Sequence, residues 1–283
     1  MSNAVPEGLS FLLPVHNQAG TVERAIPAWS ALLERLGRPY EILIVDDGSI
    51  DATAKWLDSS PGNGGLAGRI PHLRVLRHEA RRGFGAALRT GLAAAQFPLV
   101  FYTGCDHAYN PADLRKLLER IDDADPETGR KIDVVNGFRA GRPLVGKHRL
   151  IERFRRGLLR VALGMQVPPI MGWLGSRAHH YSWLVRILFG LRIGDVNGKF
   201  KLFRKKIFER IPIQSDGDFV HTEILSKANF LGCLMDELPI AERPGPFAAQ
   251  AELPAPVSFG KELRRVFFHP DFGPTTIVPP AAV

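Results

Sequence analysis

A chain of 283 residues, 45% of them hydrophobic, is long enough to bury a sizeable core, and 28 glycines with 22 prolines imply many loops rather than disorder. Lys and Arg number 37 against 29 Asp and Glu, and a formal charge of +8 favours a polyanionic partner: nucleic acid, an anionic membrane surface or phosphorylated substrates. The two cysteines suit a reducing compartment and exclude a metal-ligand pattern, while no uninterrupted apolar run reaches the roughly 20 residues needed to span a bilayer.

Met1 to Gly8 is too short and polar for a signal peptide, so a soluble or peripheral protein is expected. Leu9 to Val15 reads as a first strand, ending in Pro14-Val15-His16-Asn17. Thr21 is placed to cap a helix whose apolar positions Val22, Ile26, Trp29, Leu33 and Leu36 recur at helical spacing, and Gly37-Arg38-Pro39 stops it. Ile42 to Val45 is an unbroken β-branched and aliphatic run, right for a strand covered on both faces. A short helix over 52–57 and a glycine-rich loop over 59–69 follow. Strands are expected at Leu73 to Leu76, Leu99 to Tyr102 and Val134 to Val135. A helix is expected from Phe84 to Ala95, and another is opened by Asn110-Pro111 and runs through Ile121. Strands alternating with helices argue for a parallel α/β sheet with right-handed crossovers.

From Gly141 the character changes. Between Arg139 and Arg160 lie eight Lys or Arg residues and one acid, Glu152, and apolar segments broken by Pro168-Pro169 follow up to Phe189. Basic residues beside apolar ones on short helices suit the plane of a membrane interface; the alternative is a pair of core helices with a solvated basic face. Further on, Phe200 to Phe203 and Leu234 to Ile240 read as strands and Val220 to Phe230 as a helix. The division expected is one domain over 1–240 containing the 139–190 insertion, then a Pro-rich tail over 241–283 with a helix from Lys261 to Phe268.

Chemistry concentrates where strands end. Asp46 and Asp47 close the central strand, Gly48 and Ser49 turn the chain, and ligands of open parallel sheets bind outside the carboxyl ends of strands. A base, a ribose or a metal ion would suit that pair. Gly83-Phe84-Gly85 opens a helix after a strand and reads as close backbone approach, near a phosphate. Further candidate acids are Asp106, Asp195, Asp218 and Glu223. No P-loop, zinc spacing or Ser nucleophile elbow is present. Nucleic-acid binding fits poorly, because the basic cluster is flanked by apolar segments rather than stacking aromatics.

Six motifs in order carry a resemblance: Leu13-Pro14-Val15-His16-Asn17, Ile44-Val45-Asp46-Asp47-Gly48-Ser49, Arg82-Gly83-Phe84-Gly85-Ala86-Ala87, Gly104-Cys105-Asp106, Asp195-Val196-Asn197-Gly198-Lys199-Phe200 and His221-Thr222-Glu223. They resemble the inverting family 2 glycosyltransferases, and within them the polyprenyl-phosphate members of the dolichyl-phosphate mannose synthase kind. The resemblance implies a GT-A fold, a mainly parallel Rossmann-like sheet flanked by helices, and a nucleotide-diphosphate sugar as donor. It implies that Pro14, Asn17, Asp46, Asp47 and Gly83 line the donor site. Asp106 stands for the last acid of an Asp-x-Asp that binds a divalent ion, Mg2+ or Mn2+, bridging the diphosphate. Asp106, Asp195, His221 and Glu223 are the catalytic candidates, with Glu223 on the acceptor side. Arg139, Arg142, Arg149 and Arg153 would hold an acceptor phosphate, whose oxygen is anionic already and needs little help from a base.

The sequence also departs from that family's pattern. Gly104 replaces the first acid of Asp-x-Asp, Ala108 a glutamine beyond it, and His221 an Asp before Thr-Glu; His16, Gln18 and Arg81 are further departures. A thinned, weakly held metal site is the consequence. The reading is a transferase moving a sugar to a polyprenyl phosphate at the cytoplasmic membrane face, peripherally bound. Its rivals are a transferase with a soluble acceptor and a non-catalytic sugar-nucleotide binder.

Overall fold

The two longest apolar runs form β1 (Leu9–Val15) and β2 (Tyr40–Asp46), buried along almost their whole length. Strands covered on both faces need apolar side chains on both, which is why neither alternates. β3 (Leu73–Arg77), β4 (Leu99–Thr103), β5 (Val134–Arg139), β6 (Phe200–Arg204) and β7 (Met235–Ile240) complete a seven-stranded sheet in the order β3-β2-β1-β4-β6-β5-β7. The structure, a computed structural model, describes residues 6–58, 65–105, 109–125, 129–139, 185–241 and 256–273, with 139 and 256–259 as backbone alone.

Among the described residues six α-helices flank the sheet: α1 (Ala19–Glu34), α2 (Thr53–Trp56), α3 (Phe84–Ala94), α4 (Asp113–Asp122), α5 (Val220–Phe230) and α6 (Pro256–Phe268), with a short helical stretch over 185–189. On one face Phe11, Ile42, Phe101 and Phe200 pack against Trp29 of α1 and Leu117 of α4. Ring centroids there lie 4.8 Å apart for Phe11 and Trp29 and 4.7 Å for Phe101 and Phe200. Each such pair contributes about 0.5–1.5 kcal/mol beyond its buried area. On the other face Leu12, Leu43, Val100 and Phe203 pack against Leu88 of α3 and Ile224 of α5.

β1 pairs in parallel with β2 and β4, β2 with β3, and β5 with β7, whereas β6 runs antiparallel to both β4 and β5. The sheet is therefore mainly parallel, as expected, with one reversed strand that helix–strand alternation did not reveal. Two helix starts also differ from expectation. α1 begins at Ala19, two residues before Thr21, because Asp51 and Thr53 on the neighbouring loop accept the Ala19 and Gln18 amides. α4 begins at Asp113, so Pro111 precedes its first turn rather than opening it.

The strand order reverses at β1: the chain moves outward to β2 and β3, then crosses back to lay β4 on the other side. In open α/β sheets the crevice outside the carboxyl ends at such a switch point binds ligands.

One row of the second face is polar. The pairing registers align Tyr102 of β4, Lys201 of β6, Asn136 of β5 and Glu237 of β7 across four strands. Lys201 is fully buried and its Nζ donates to Asn136 Oδ1, while Asn136 Nδ2 donates to Glu237 Oε1 at 2.8 Å.

Candidate functional site

The loops that leave β1 and β2 meet at the switch point. Asp46, the last residue of β2, is fully buried; Oδ1 accepts the Ser49 amide at 3.0 Å and Oδ2 the Arg77 Nε at 3.0 Å. Arg77 ends β3 with its side chain half exposed, so a guanidinium stands at the edge of the crevice, aimed by a buried carboxylate. Sequence reading missed it; its position at the end of a strand beside β2 was the available signal.

Asp47 differs from expectation. It was expected to face a ligand, yet it is buried, and protein donors occupy both oxygens. The Gly83 amide bonds Oδ2 at 2.7 Å, and the Arg82 amide and His78 Nδ1 bond Oδ1 at 2.9 and 2.7 Å. The carboxylate thus closes the turn that leads into α3. Gly48 explains how the loops approach: at φ +66° a Cβ would lie 2.5 Å from the Ala80 carbonyl carbon.

Gly83 has φ +107°, and a Cβ there would fall against the Asp216 carbonyl oxygen. The Gly85 and Ala86 amides donate to that same oxygen at 2.7 and 3.2 Å, and Arg89 of α3 donates to the Ser215 carbonyl at 3.0 Å. Close backbone approach at this turn is as expected. The phosphate neighbour is not, because a carboxylate and a carbonyl already take the amides at the start of α3.

Asn17 and His16, beyond β1, sit over the Asp47–Ile50 turn. His16 Nδ1 donates to the Asp47 carbonyl at 2.8 Å, and the Ile50 amide donates to Asn17 Oδ1 at 2.9 Å. Asn17 adopts φ +51° and is exposed at the crevice mouth. Pro14 lies buried within β1, opposite Val45, and touches the site only through the strand it belongs to.

The far wall is aromatic. Phe84 of α3, Tyr102 of β4 and His221 of α5 gather within 6.1 Å of one another by ring centroid, and Lys199 Nζ lies 5.0 Å above the Phe84 ring and 3.4 Å from Asp218. His221 is buried, with Nδ1 2.8 Å from the Tyr102 hydroxyl. Burial pushes the Tyr102 phenol well above its ordinary value, so the hydroxyl stays protonated beside that nitrogen. Such an imidazole forms part of the wall rather than an open base.

Glu223 was expected on the acceptor side and is instead enclosed. Its Oε1 accepts the Gln214 amide and Lys227 Nζ, each at 2.7 Å, and Oε2 accepts the Ser215 amide at 2.7 Å. Its place on the buried face of α5 dictates this: it clamps the 213–216 loop that α3 also grips. Asp195 lies in the loop before β6, at the same end of the sheet, where Gly194 and Asn136 tie the loop to Glu237. Sequence reading did not anticipate Lys199, nor the Lys201–Asn136–Glu237 row beneath it.

Asp106, Arg142, Arg149 and Arg153 lie outside the described residues, as does the side chain of Arg139, whose backbone ends β5 at the crevice end of the sheet. Among the described residues no three His, Cys, Asp or Glu side chains gather to hold a metal ion, and Gly104 supplies no ligand. An open hollow of about 430 Å³ lined by Glu7, Arg130, Asp133, Arg204 and Lys206 lies at the opposite, amino-terminal end of the strands. Its cations face Glu7 and Asp133, which makes it an ion-paired surface rather than a rival site.

A mainly parallel sheet with its switch-point crevice at the ends of β1, β2 and β4 defines an α/β protein of the GT-A class. The model of glycosyl transferase family 2 matches residues 10–211, and the chain belongs to that family. Over 133 residues it is 32% identical to the succinoglycan biosynthesis protein ExoO of Rhizobium meliloti, covering 47% of this chain and 35% of that one. It is 22% identical over 210 residues to the dodecaprenyl-phosphate galacturonate synthase of Rhizobium johnstonii, covering 74% and 51%. It is 28% identical over 242 residues to the dolichyl-phosphate beta-glucosyltransferase of Saccharomyces cerevisiae, covering 82% and 66%. The match thus spans from about a third to about two thirds of the length of these relatives. Among solved structures, glucosyl-3-phosphoglycerate synthase of Mycobacterium tuberculosis superposes with a TM-score of 0.55 at 20% identity, covering 92% of this chain and 78% of that one. The same synthase has been solved in complex with Mn2+, uridine diphosphate and glucosyl-3-phosphoglycerate, with a TM-score of 0.52 at 22% identity and coverage of 85% and 73%. At such identities the likeness speaks for the fold.

Proposed function

We propose that the protein transfers a glycosyl group, with inversion, from a nucleotide-diphosphate sugar to a polyprenyl phosphate at the cytoplasmic face of a membrane. The observation that carries the reading is the crevice itself. The Asn17 and Asp46–Ser49 loops bound it on one side and the Lys199–Phe84–His221 wall on the other, with all but His221 inside the span that matches the family. Relatives named for dodecaprenyl and dolichyl phosphate acceptors support the acceptor class.

In this reading the base and ribose of the donor lie over the Asn17 and Asp46–Ser49 loops, with Arg77 at their edge. Asp47 acts from behind, holding the glycine turn in shape. A divalent ion bound to the diphosphate would neutralise charge on the leaving nucleotide. The described residues make no metal centre of their own, so such an ion would rest on Asp106 and on the donor's phosphates. Lys199 supplies positive charge at the far wall, and Arg139, Arg142, Arg149 and Arg153 are the remaining candidates for the acceptor phosphate. Asp195 is kept at the crevice end of the sheet by Glu237. Glu223 and His221 support the walls from within.

The test is transfer of labelled sugar from a panel of UDP- and GDP-sugars to a short-chain polyprenyl phosphate in detergent, with and without Mn2+ or Mg2+. Label entering the organic phase is the expected result. Label on 3-phosphoglycerate alone would favour a soluble acceptor, and nucleotide binding without transfer to any acceptor would leave only a binder.

A further inference from the structure

Among the described residues six large apolar side chains are exposed, and five belong to one surface: Phe230 (76%), Phe268 (65%), Ile187 (60%), Phe267 (42%) and Leu188 (37%). Three segments build it. The Phe267 ring lies 5.6 Å from Phe189 and 5.2 Å from Phe268, which joins the end of α6 to the 185–189 helix. Asn229 Nδ2 donates to the Phe189 carbonyl at 3.2 Å, and Phe230 stacks on Phe272 at 5.0 Å, which brings in the end of α5. The Phe189, Phe267 and Phe268 rings touch in sequence, Phe230 and Phe272 form a second pair, and Phe230, Phe267 and Phe268 still face water. Exposed apolar side chains gathered in this way on a folded domain mark an interaction site.

Charge identifies the partner. Lys261 and Arg264 are exposed on α6 and Arg192 is exposed three residues beyond Phe189, and between 260 and 273 the one exposed carboxylate is Asp271. Exposed aromatic side chains with cations on the same segments suit the headgroup layer of an anionic bilayer, where rings enter the interface and Lys and Arg meet lipid phosphates. The 11 residues of α5 separate the crevice wall from this surface by about 16 Å.

We infer that Phe230, Phe267 and Phe268, with Lys261, Arg264 and Arg192, form a bilayer-docking surface selective for anionic lipid. The inference builds on the lipid-phosphate reading for its purpose, but its test is independent of it.

The full chain is sedimented with phosphatidylcholine vesicles with and without phosphatidylglycerol, over a salt series. Wild-type protein is expected to pellet with the anionic vesicles, and part of that binding survives high salt because rings as well as charges engage. Phe230→Ser/Phe268→Ser loses the salt-resistant part, and Lys261→Glu/Arg264→Glu weakens partitioning about tenfold or more. Both double variants keep wild-type thermal unfolding and nucleotide affinity, since the altered side chains are exposed and remote from the crevice. Wild-type protein that stays in the supernatant, or variants that partition like wild type, would overturn the inference. So would concentration-dependent self-association abolished by the Phe changes, which would assign the surface to a second copy of the chain. Vesicle binding without sugar transfer would remove the proposed function and leave the docking surface standing; transfer in detergent without vesicle binding would do the reverse.

Discussion

Asp47 and Gly83, 36 residues apart, are joined by a 2.7 Å hydrogen bond from the glycine amide to a buried carboxylate. The bond fastens the end of β2 to the start of α3, and with the Arg82 amide and His78 it gives both Asp47 oxygens protein partners. Asp47→Ala strands two backbone amides and a ring nitrogen, and is expected to cost about 3 kcal/mol of folding stability by urea titration. Unchanged stability with lost nucleotide affinity would return Asp47 to direct ligand contact.

Glu223→Ala leaves Lys227 buried with one partner fewer and frees the 214–215 amides, which should cost about 3–5 kcal/mol. Replacing both partners, as Glu223→Gln with Lys227→Met, should recover a good part of that loss in thermal unfolding. A Glu223→Gln enzyme that unfolds normally yet loses turnover would instead assign this residue to the chemistry.

Gly83→Ala combines a left-handed φ with a clash against the Asp216 carbonyl. About 2 kcal/mol or more is expected from the backbone alone. Amide exchange should accelerate first in the opening turn of α3, and a variant as stable as wild type with unchanged exchange would contradict the packing described.

Asp51 links α1 and α2 by accepting the Ala19 and Thr53 amides. Burial pushes its carboxyl up, but hydrogen bonds from Thr53 and Ala19 outweigh this and hold it below the ordinary value. A depressed folded pKa gives stability that is complete above the ordinary carboxylate pKa of about 3.9 and fades as pH falls through the lower folded value. Asp51→Asn should therefore lower the Tm slightly at pH 7 and lose that difference as pH falls below the ordinary carboxylate range; a gap constant with pH would exclude the ionic contribution.

At the proposed metal position, Asp106→Asn should weaken donor binding in Mn2+, and Gly104→Asp should strengthen it by adding a second oxygen ligand. Titration calorimetry with UDP, with and without the ion, reads both. Tight Mn2+ binding to the protein without nucleotide would contradict an ion held mainly through the diphosphate.

The strands were legible because burial on both faces leaves unbroken apolar runs such as Phe11–Leu13 and Ile42–Val45. α5 was legible to the residue, since Val220–Phe230 needs no distant cap. What failed was any feature decided by a second segment. Asp47 and Glu223 look alike in sequence to carboxylates waiting for a ligand, and only the arrival of residues 82–83 and 214–215 fills them. The start of α1 moved for the same reason, its first amides being taken from the β2–α2 loop. Arg77 and Lys199 were passed over because an isolated cation at a strand end carries no local pattern; their neighbours make them informative.

The buried ammonium of Lys201 also bears on how the sheet assembles. Moving β6 by one residue against β4 would carry Lys201 to the face filled by Phe101, Phe11 and Trp29, where nothing polar waits, and would swing Phe200 or Leu202 toward Asn136. Either result strands a charge in hydrocarbon, a penalty of several kcal/mol. An apolar strand alone would tolerate several alignments with similar burial. A single lysine thus acts as a proofreading mark on the strand that runs against its neighbours, making misaligned sheets too costly to persist.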